Sequence, residues 1–265
     1  MDTKEPASGS SKPFLEVSSE PDRPLPFGYK MGWFAVSTDD AALVARLLDL
    51  EDVRVANWQT GLKRAIHMDP FSNDSRRTVF LTPPLDGWIL VAAGSLPYPT
   101  ELSGTDAEFD AIPKRFDNLM LRLTSHFDDV QYFASHRGSG FVSWTRRTEW
   151  MYRSFTFGDG WVYLNRGEQT KEERDLGMPD LTGMGQQAAT NEIFRLLEER
   201  SAQEDALCQT GLSHKEASQR IGHSAAPSEE DVTDLAGLWS VDPCQIEERF
   251  QAKSTGLLGV LKLDR

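Results

Sequence analysis

Apolar positions change their spacing along the chain, and each change marks an element. Residues 29–36 form an apolar-rich run with Trp33, Phe34 and Val36, which predicts a first strand. Ser37-Thr38-Asp39-Asp40 then supplies capping oxygens and first-turn acids. Leu43, Val44, Leu47 and Leu48 follow at helical spacing, so 39–48 reads as an amphipathic helix. A short strand over 52–55 precedes a helix over 58–67, with Leu62 and Ile66 on one face. Residues 78–82 and 88–93 read as a hairpin, and 95–113, with Pro97, Pro99, Gly104 and Pro113, as mostly loop. Phe116, Leu119, Met120, Leu123 and Phe127 predict an amphipathic helix, and 130–134 a strand. Residues 141–144, 150–157 and 161–164 follow as a three-strand meander. In its middle strand Met151, Phe155 and Phe157 fall on one face, with Trp150 and Tyr152 on the other. That strand is either covered on both sides or has one side awaiting a partner.

Beyond residue 167 the helical period takes over, with helices predicted at 170–174, 188–200, 213–221, 228–239 and 243–250. The apolar, glycine-containing stretch 255–263 is expected to dock as an edge segment. Strands segregated from helices give an α+β class: antiparallel hairpins and a meander packed with helices, followed by a helical C-terminal part. The expected organisation is a flexible arm over 1–26, an α+β domain over 27–167, and a mainly helical part over 168–265 packed on the same domain. The arm is rich in Ser, Pro, Lys and Glu and carries too little apolar surface to offset its ordering entropy.

Two segments echo each other: Leu85-Asp86-Gly87-Trp88-Ile89-Leu90-Val91 and Gly158-Asp159-Gly160-Trp161-Val162-Tyr163-Leu164. Asp-Gly tolerates the positive φ angles of a tight hairpin turn, and the Trp and β-branched residues after it favour a pleated strand. Both segments are therefore expected to turn antiparallel hairpins.

Charge narrows the function classes. With 28 Lys+Arg against 41 Asp+Glu, the formal charge is −13, which argues against a nucleic-acid partner and is compatible with a basic protein partner. Cys208 and Cys244 are the only cysteines, too few for a disulfide framework and without metal spacing; reduced thiols are expected. The first 23 residues show no apolar signal core. No apolar stretch approaches the roughly 20 residues of a membrane-spanning helix. The expected location is the cytoplasm, without a membrane partner.

The search for reactive groups returns ordinary elements. His136 precedes Arg137-Gly138-Ser139-Gly140, but a strand follows where a nucleophile elbow would need a helix, so the segment reads as a turn. His67, His126, His136, His214 and His223 form no metal-binding spacing, and no phosphate-binding glycine loop occurs. Asp39-Asp40, Asp128-Asp129 and Glu229-Glu230-Asp231 lie at predicted element ends; helix capping accounts for the first and third. Residues 212–222 have the style of the first helix of a helix-turn-helix, but Ser228-Glu229-Glu230-Asp231 stands where a basic recognition helix should. This leaves no catalytic residue, no metal ligand and no cofactor site. Seven tryptophans remain, most of them expected in the core, together with the acidic charge. Asp86, Trp88, Asp159 and Trp161 are the candidate partner-binding residues, each with a turn-forming or packing role as the alternative.

Four blocks carry a family resemblance: Phe27-Gly28-Tyr29-Lys30-Met31-Gly32-Trp33, Ala56-Asn57-Trp58-Gln59-Thr60-Gly61, Val79-Phe80-Leu81-Thr82-Pro83-Pro84-Leu85-Asp86-Gly87-Trp88, and Trp239-Ser240-Val241-Asp242-Pro243. They resemble a family of uncharacterised bacterial cytoplasmic proteins with immunity-type members that neutralise secreted antibacterial toxins. The resemblance implies a protein that binds and occludes a cognate toxin, basic if charge guides the encounter, and needs no cofactor. Two other classes stay open: an enzyme, hydrolase-like, using His136 or scattered carboxylates, and a transcriptional regulator using 212–222.

Overall fold

A computed structural model describes residues 16–66, 76–94, 96–100 and 107–262. Local chemistry accounts for many element ends. β1 (Gly32–Ser37) leads into α1 (Ala41–Leu47), whose N-cap Asp40 accepts a hydrogen bond from the Leu43 N–H. β2 (Glu51–Asn57) runs directly into α2 (Trp58–Ile66), and β3 (Arg76–Leu81) pairs with β4 (Trp88–Ala93). After α3 (Ala107–Thr124) and β5 (Asp129–His136), a short 3₁₀ turn over Arg137–Ser139 leads into β6 (Phe141–Thr148). β7 (Tyr152–Gly158) and β8 (Trp161–Arg166) complete the meander. The helical part comprises α4 (Lys171–Asp175), α5 (Gln186–Gln209), α6 (His214–Ile221), α7 (Glu229–Trp239) and α8 (Ile246–Arg249). Capping boxes begin α4, α6 and α7 at Thr170, Ser213 and Ser228. The chain then returns to the sheet as β9 (Thr255–Lys262).

Among the described residues nine strands form one antiparallel sheet, ordered β2-β9-β3-β4-β1-β5-β6-β7-β8. The α+β class is as expected. The last strand is not an edge segment, however. β9 pairs with β2 on one side and β3 on the other, so its apolar residues face helices on both sides of the sheet: Leu258 lies in the core beneath α2 and α7, Leu261 in the core beneath α1 and α3. Residues 168–262 are thereby tied into the same sheet as the rest.

The sheet is the middle of three layers. On one face Trp33, Leu90, Phe133, Trp144 and Phe155 pack with Trp58 and Leu62 of α2, Ile193 of α5, and Val232, Leu235 and Trp239 of α7. On the other, Phe34, Val36, Val79, Ile89, Val91 and Tyr132 pack with Val44 of α1 and Phe116, Leu119, Met120 and Leu123 of α3. The middle meander strand is covered on both sides. Phe155 and Phe157 face the first core, while Ser154 and Thr156, on the opposite face, are fully buried. Their hydroxyls meet those of β6: Thr145 Oγ1 lies 2.7 Å from Ser154 Oγ, and Ser143 Oγ 2.8 Å from Thr156 Oγ1. Pairing of this kind lets hydroxyls occupy a buried sheet face.

Two other expectations shift. The stretch 95–113 is not loop to its end, because α3 begins at Ala107 and carries Pro113 inside it. An interior proline costs about 3 kcal/mol, but each large apolar side chain buried contributes about 1.5–3 kcal/mol, and α3 buries four. Residues 16–26, expected in a flexible arm, are docked. The Asn57 N–H donates to the Ser18 carbonyl at 2.8 Å. The Asp22 carboxylate accepts from the N–H groups of Trp58 and Gln59 at 2.7 and 3.0 Å, capping α2 from outside its own segment.

One ion pair is buried at the meander end. Arg153 and Glu173 side chains are 5% and 1% exposed and meet at 2.9 Å. Glu173 also accepts from Trp144 Nε1 and from the Thr170 N–H, while Arg153 donates to Asn165 Oδ1 and the Arg166 carbonyl. Both Glu173 oxygens and the Arg153 Nε and Nη1 groups have partners, which favours keeping such a pair inside a core. Glu173→Gln is expected to cost about 3–5 kcal/mol by leaving a buried guanidinium uncompensated, with an Arg153→Met/Glu173→Met double variant losing less than the sum of its singles. Urea unfolding of the full double-mutant cycle measures this.

A second prediction concerns backbone approach. A Cβ on Gly256 would lie 2.1 Å from the Leu81 carbonyl oxygen, whereas one on Gly87 would meet nothing within 4 Å. Gly256→Ala is expected to lower stability by about 2–3 kcal/mol or more through overpacking. Gly87→Ala, at φ +85°, should lose about 1 kcal/mol through backbone strain alone. Equal urea midpoints for the two variants would contradict this ordering.

Candidate functional site

Both Asp-Gly turns form as expected, with positive φ at both central residues: 51° and 85° at Asp86-Gly87, 48° and 80° at Asp159-Gly160. They do not form one site. Five strand steps separate β4 from β8, about 24 Å at the usual spacing, and alternating strand directions put the two turns at opposite ends of the sheet. Asp159 and Trp161 sit at the β7–β8 end, where Trp161 is 47% exposed and Gly160 lies beside the exposed Phe194 ring. Asp86 is exposed at the other end, with Trp88 half-buried against the core.

Asp86 does not stand alone. Its carboxylate pairs with Arg249 of α8, whose guanidinium also lies over the Phe250 ring, 5.3 Å from its centroid. Arg249 is one wall of a groove of about 530 Å3 whose other residues include Leu176, Asp234, Leu238, Asp242, Gln245 and Glu248. Leu238 is 52% exposed there. From Ile221 to Glu248 the chain has no Lys or Arg, while Glu229, Glu230, Asp231, Asp234, Asp242, Glu247 and Glu248 all fall in this stretch. α7 and α8 thus present an acidic edge with a concave centre.

Asp234 and Asp242 resist ionisation. Desolvation raises the Asp234 pKa above its ordinary 3.8, and the charges of Asp242, Asp231 and Glu230 add to the rise. Desolvation also raises that of Asp242, opposed by hydrogen bonds from the Cys244 N–H and the Gln245 side chain. Beside them burial pushes the Cys244 thiol up to about 11, and the thiol donates to the Phe27 carbonyl at 3.1 Å. Cys244 is therefore held as an unreactive thiol.

The other sequence candidates separate. The Ser139 hydroxyl donates to the His136 backbone carbonyl at 3.4 Å, so the imidazole is not placed as its base. His223 meets Asp231 at 2.6 Å, and the crevice it lines with Arg153 and Glu173 holds about 10 Å3, room for one water rather than a substrate. Among the described residues no three His, Cys, Asp or Glu side chains converge as a metal site. α6 is followed by α7, whose first turn is Glu229, Glu230 and Asp231. His67 lies outside the described residues. No helix among the described residues is long and apolar enough to cross a membrane.

Sequence reasoning selected Asp86 and Trp88 but not Asp234, Leu238, Asp242 or Glu248. The available signal was the cation-free run that ends at Arg249. No family model matches the chain, and neither does any curated protein or solved structure.

Because folding raises the pKa of Asp234 and Asp242, the folded chain holds their protons more tightly than the unfolded one. Stability from this source is greatest below pH 3.8 and is lost as pH rises through the raised values. Asp234→Asn/Asp242→Asn is therefore expected to be more stable than the parent at pH 7, by no more than about 1 kcal/mol given solvent screening. The advantage should vanish below the ordinary carboxylate range. Thermal unfolding from pH 3 to pH 7, about the span of carboxylate titration, measures it.

Proposed function

We propose that this chain is an immunity-type binding protein that neutralises a basic toxin domain by occluding it, with the α7–α8 groove as the principal contact. The observation that carries this reading is a convergence. Two of the four blocks on which the family resemblance rests meet at the groove: Asp242 belongs to one, Asp86 to another, and Arg249 joins α8 to the Asp86 turn. The groove has the chemistry such a contact needs. Burial raises the pKa of Asp234 and Asp242, neighbouring carboxylates add to the rise at Asp234, and a cationic side chain entering the groove favours their ionised forms. Exposed Leu238 supplies an apolar anchor beside them. Opposite net charge steers the encounter and leaves it sensitive to salt.

The test starts with affinity capture of the tagged chain from its own host at low and moderate salt. The expected partner is one stoichiometric basic protein that arrests growth when expressed alone and is neutralised when this chain is co-expressed. Against that partner Asp234→Lys and Glu248→Lys should each weaken binding about tenfold or more, chiefly through charge reversal. Asp86→Asn should weaken it less, and Asp159→Asn, at the far end of the sheet, should have no effect. A partner bound equally by all four variants, or one whose expression does not affect growth, would overturn the reading.

A further inference from the structure

The opposite sheet face holds a cavity of about 230 Å3 between β1, β5 and residues Leu96 and Tyr98, bounded also by Met31, Gly32, Tyr132, His136 and Phe141 among others. Its most informative group is Tyr132. The ring is clamped by Phe34 and Phe116, at centroid distances of 5.1 and 5.0 Å, and the residue is 1% exposed. Its hydroxyl lies next to Gly32 at the cavity and has no hydrogen-bond partner among the described residues. The hydroxyl is thus presented to the cavity as a donor that an acceptor bound there can meet.

A glycine keeps this space open. A Cβ on Gly32 would stand 3.4 Å from the Tyr132 hydroxyl and 3.5 Å from Leu96 Cβ, so any longer side chain there would fill the cavity. Glycine weakens a strand interior, and its presence in β1 is accounted for by this opening. The walls define the ligand. Met31, Leu96, Ala134 and Phe141 are apolar, and among the described residues that line the cavity there is no Lys, Arg, Asp or Glu and one His, His136, so a neutral ligand fits these walls better than a carboxylate or ammonium. Burial raises the Tyr132 and Tyr98 pKa values, which keeps both phenols neutral donors. A cavity of about 150 Å3 with apolar walls accepts benzene, so 230 Å3 accommodates one ring with a short substituent.

We propose that this cavity binds a neutral, single-ring ligand whose carbonyl, or an equivalent acceptor, takes a hydrogen bond from the Tyr132 hydroxyl. The inference is independent of the toxin-binding reading, since the cavity and the acidic groove lie on opposite faces of the sheet. Acetophenone, toluene and benzoate are suitable probes, titrated against the full chain by calorimetry and ligand-observed NMR. Acetophenone should bind one per chain with Kd about 0.1–1 mM, toluene about tenfold more weakly for want of the acceptor, and benzoate not measurably. Tyr132→Phe keeps the ring packing and should weaken acetophenone about tenfold while leaving toluene unchanged. Gly32→Val should abolish binding of both, with Gly32→Ala as the milder variant if the larger side chain impairs folding. Absence of saturable binding by acetophenone and toluene would overturn the proposal. So would a Tyr132→Phe protein that keeps the parent's preference for acetophenone.

Discussion

The ring of Phe80 sits where distant parts of the chain meet. A Cβ on Gly61 of α2 would lie 2.3 Å from it and one on Gly256 of β9 2.8 Å, and Trp58 packs against it at 5.5 Å. Two glycines, 195 positions apart, leave the space that one phenylalanine occupies. The same junction collects polar ties. Trp58 Nε1 donates to Ser254 Oγ at 3.1 Å, and Asp22 caps α2 while its backbone pairs with Ser254. β2 joins the sheet only through β9, so the placing of these two of the nine strands depends on this contact. The last strand in sequence is thus an interior element, and the sheet is incomplete until the C-terminal part has returned to it.

Burial on both sheet faces explains the distribution of polar groups. A strand covered on one side can present Ser and Thr to solvent, but β6 and β7 bury theirs, and the hydroxyls bond across the strands. The Arg153–Glu173 pair follows the same logic with charge: it lies between the meander and α4, and each end is met by neighbouring donors or acceptors. Asp234 and Asp242, at the α7–α8 edge, are not matched in this way, and folding raises their pKa values. The groove's repulsion is the converse of the interior's pairing. A surface that stores unfavourable like charge in a concave site gains most from a cationic partner.

The three-layer build also separates two kinds of recognition. The acidic groove belongs to the helical layer in which α7 packs over β5 and β6, whereas the Tyr132 cavity opens on the α1–α3 side. The sheet lies between them.

Much of the local structure was legible from residue order. Asp86-Gly87 and Asp159-Gly160 turn as Asp-Gly should, and Asp40, Thr170, Ser213 and Ser228 cap the helices they precede. These features rest on sterics and hydrogen bonds spanning four residues or fewer, which a sequence states directly. Of the candidate site, only Asp86 and Trp88 were legible, through their turn. The remainder was decided by tertiary structure: the interior place of β9, the docking of Ser18 and Asp22, the opposite ends taken by the two echoing hairpins, and the meeting of Asp86 with Arg249 across 163 positions. An apolar strand can pair with many partners of equal local merit. Which pairing wins depends on how completely all the helices and strands bury one another, a quantity that belongs to the whole chain rather than to any window of it.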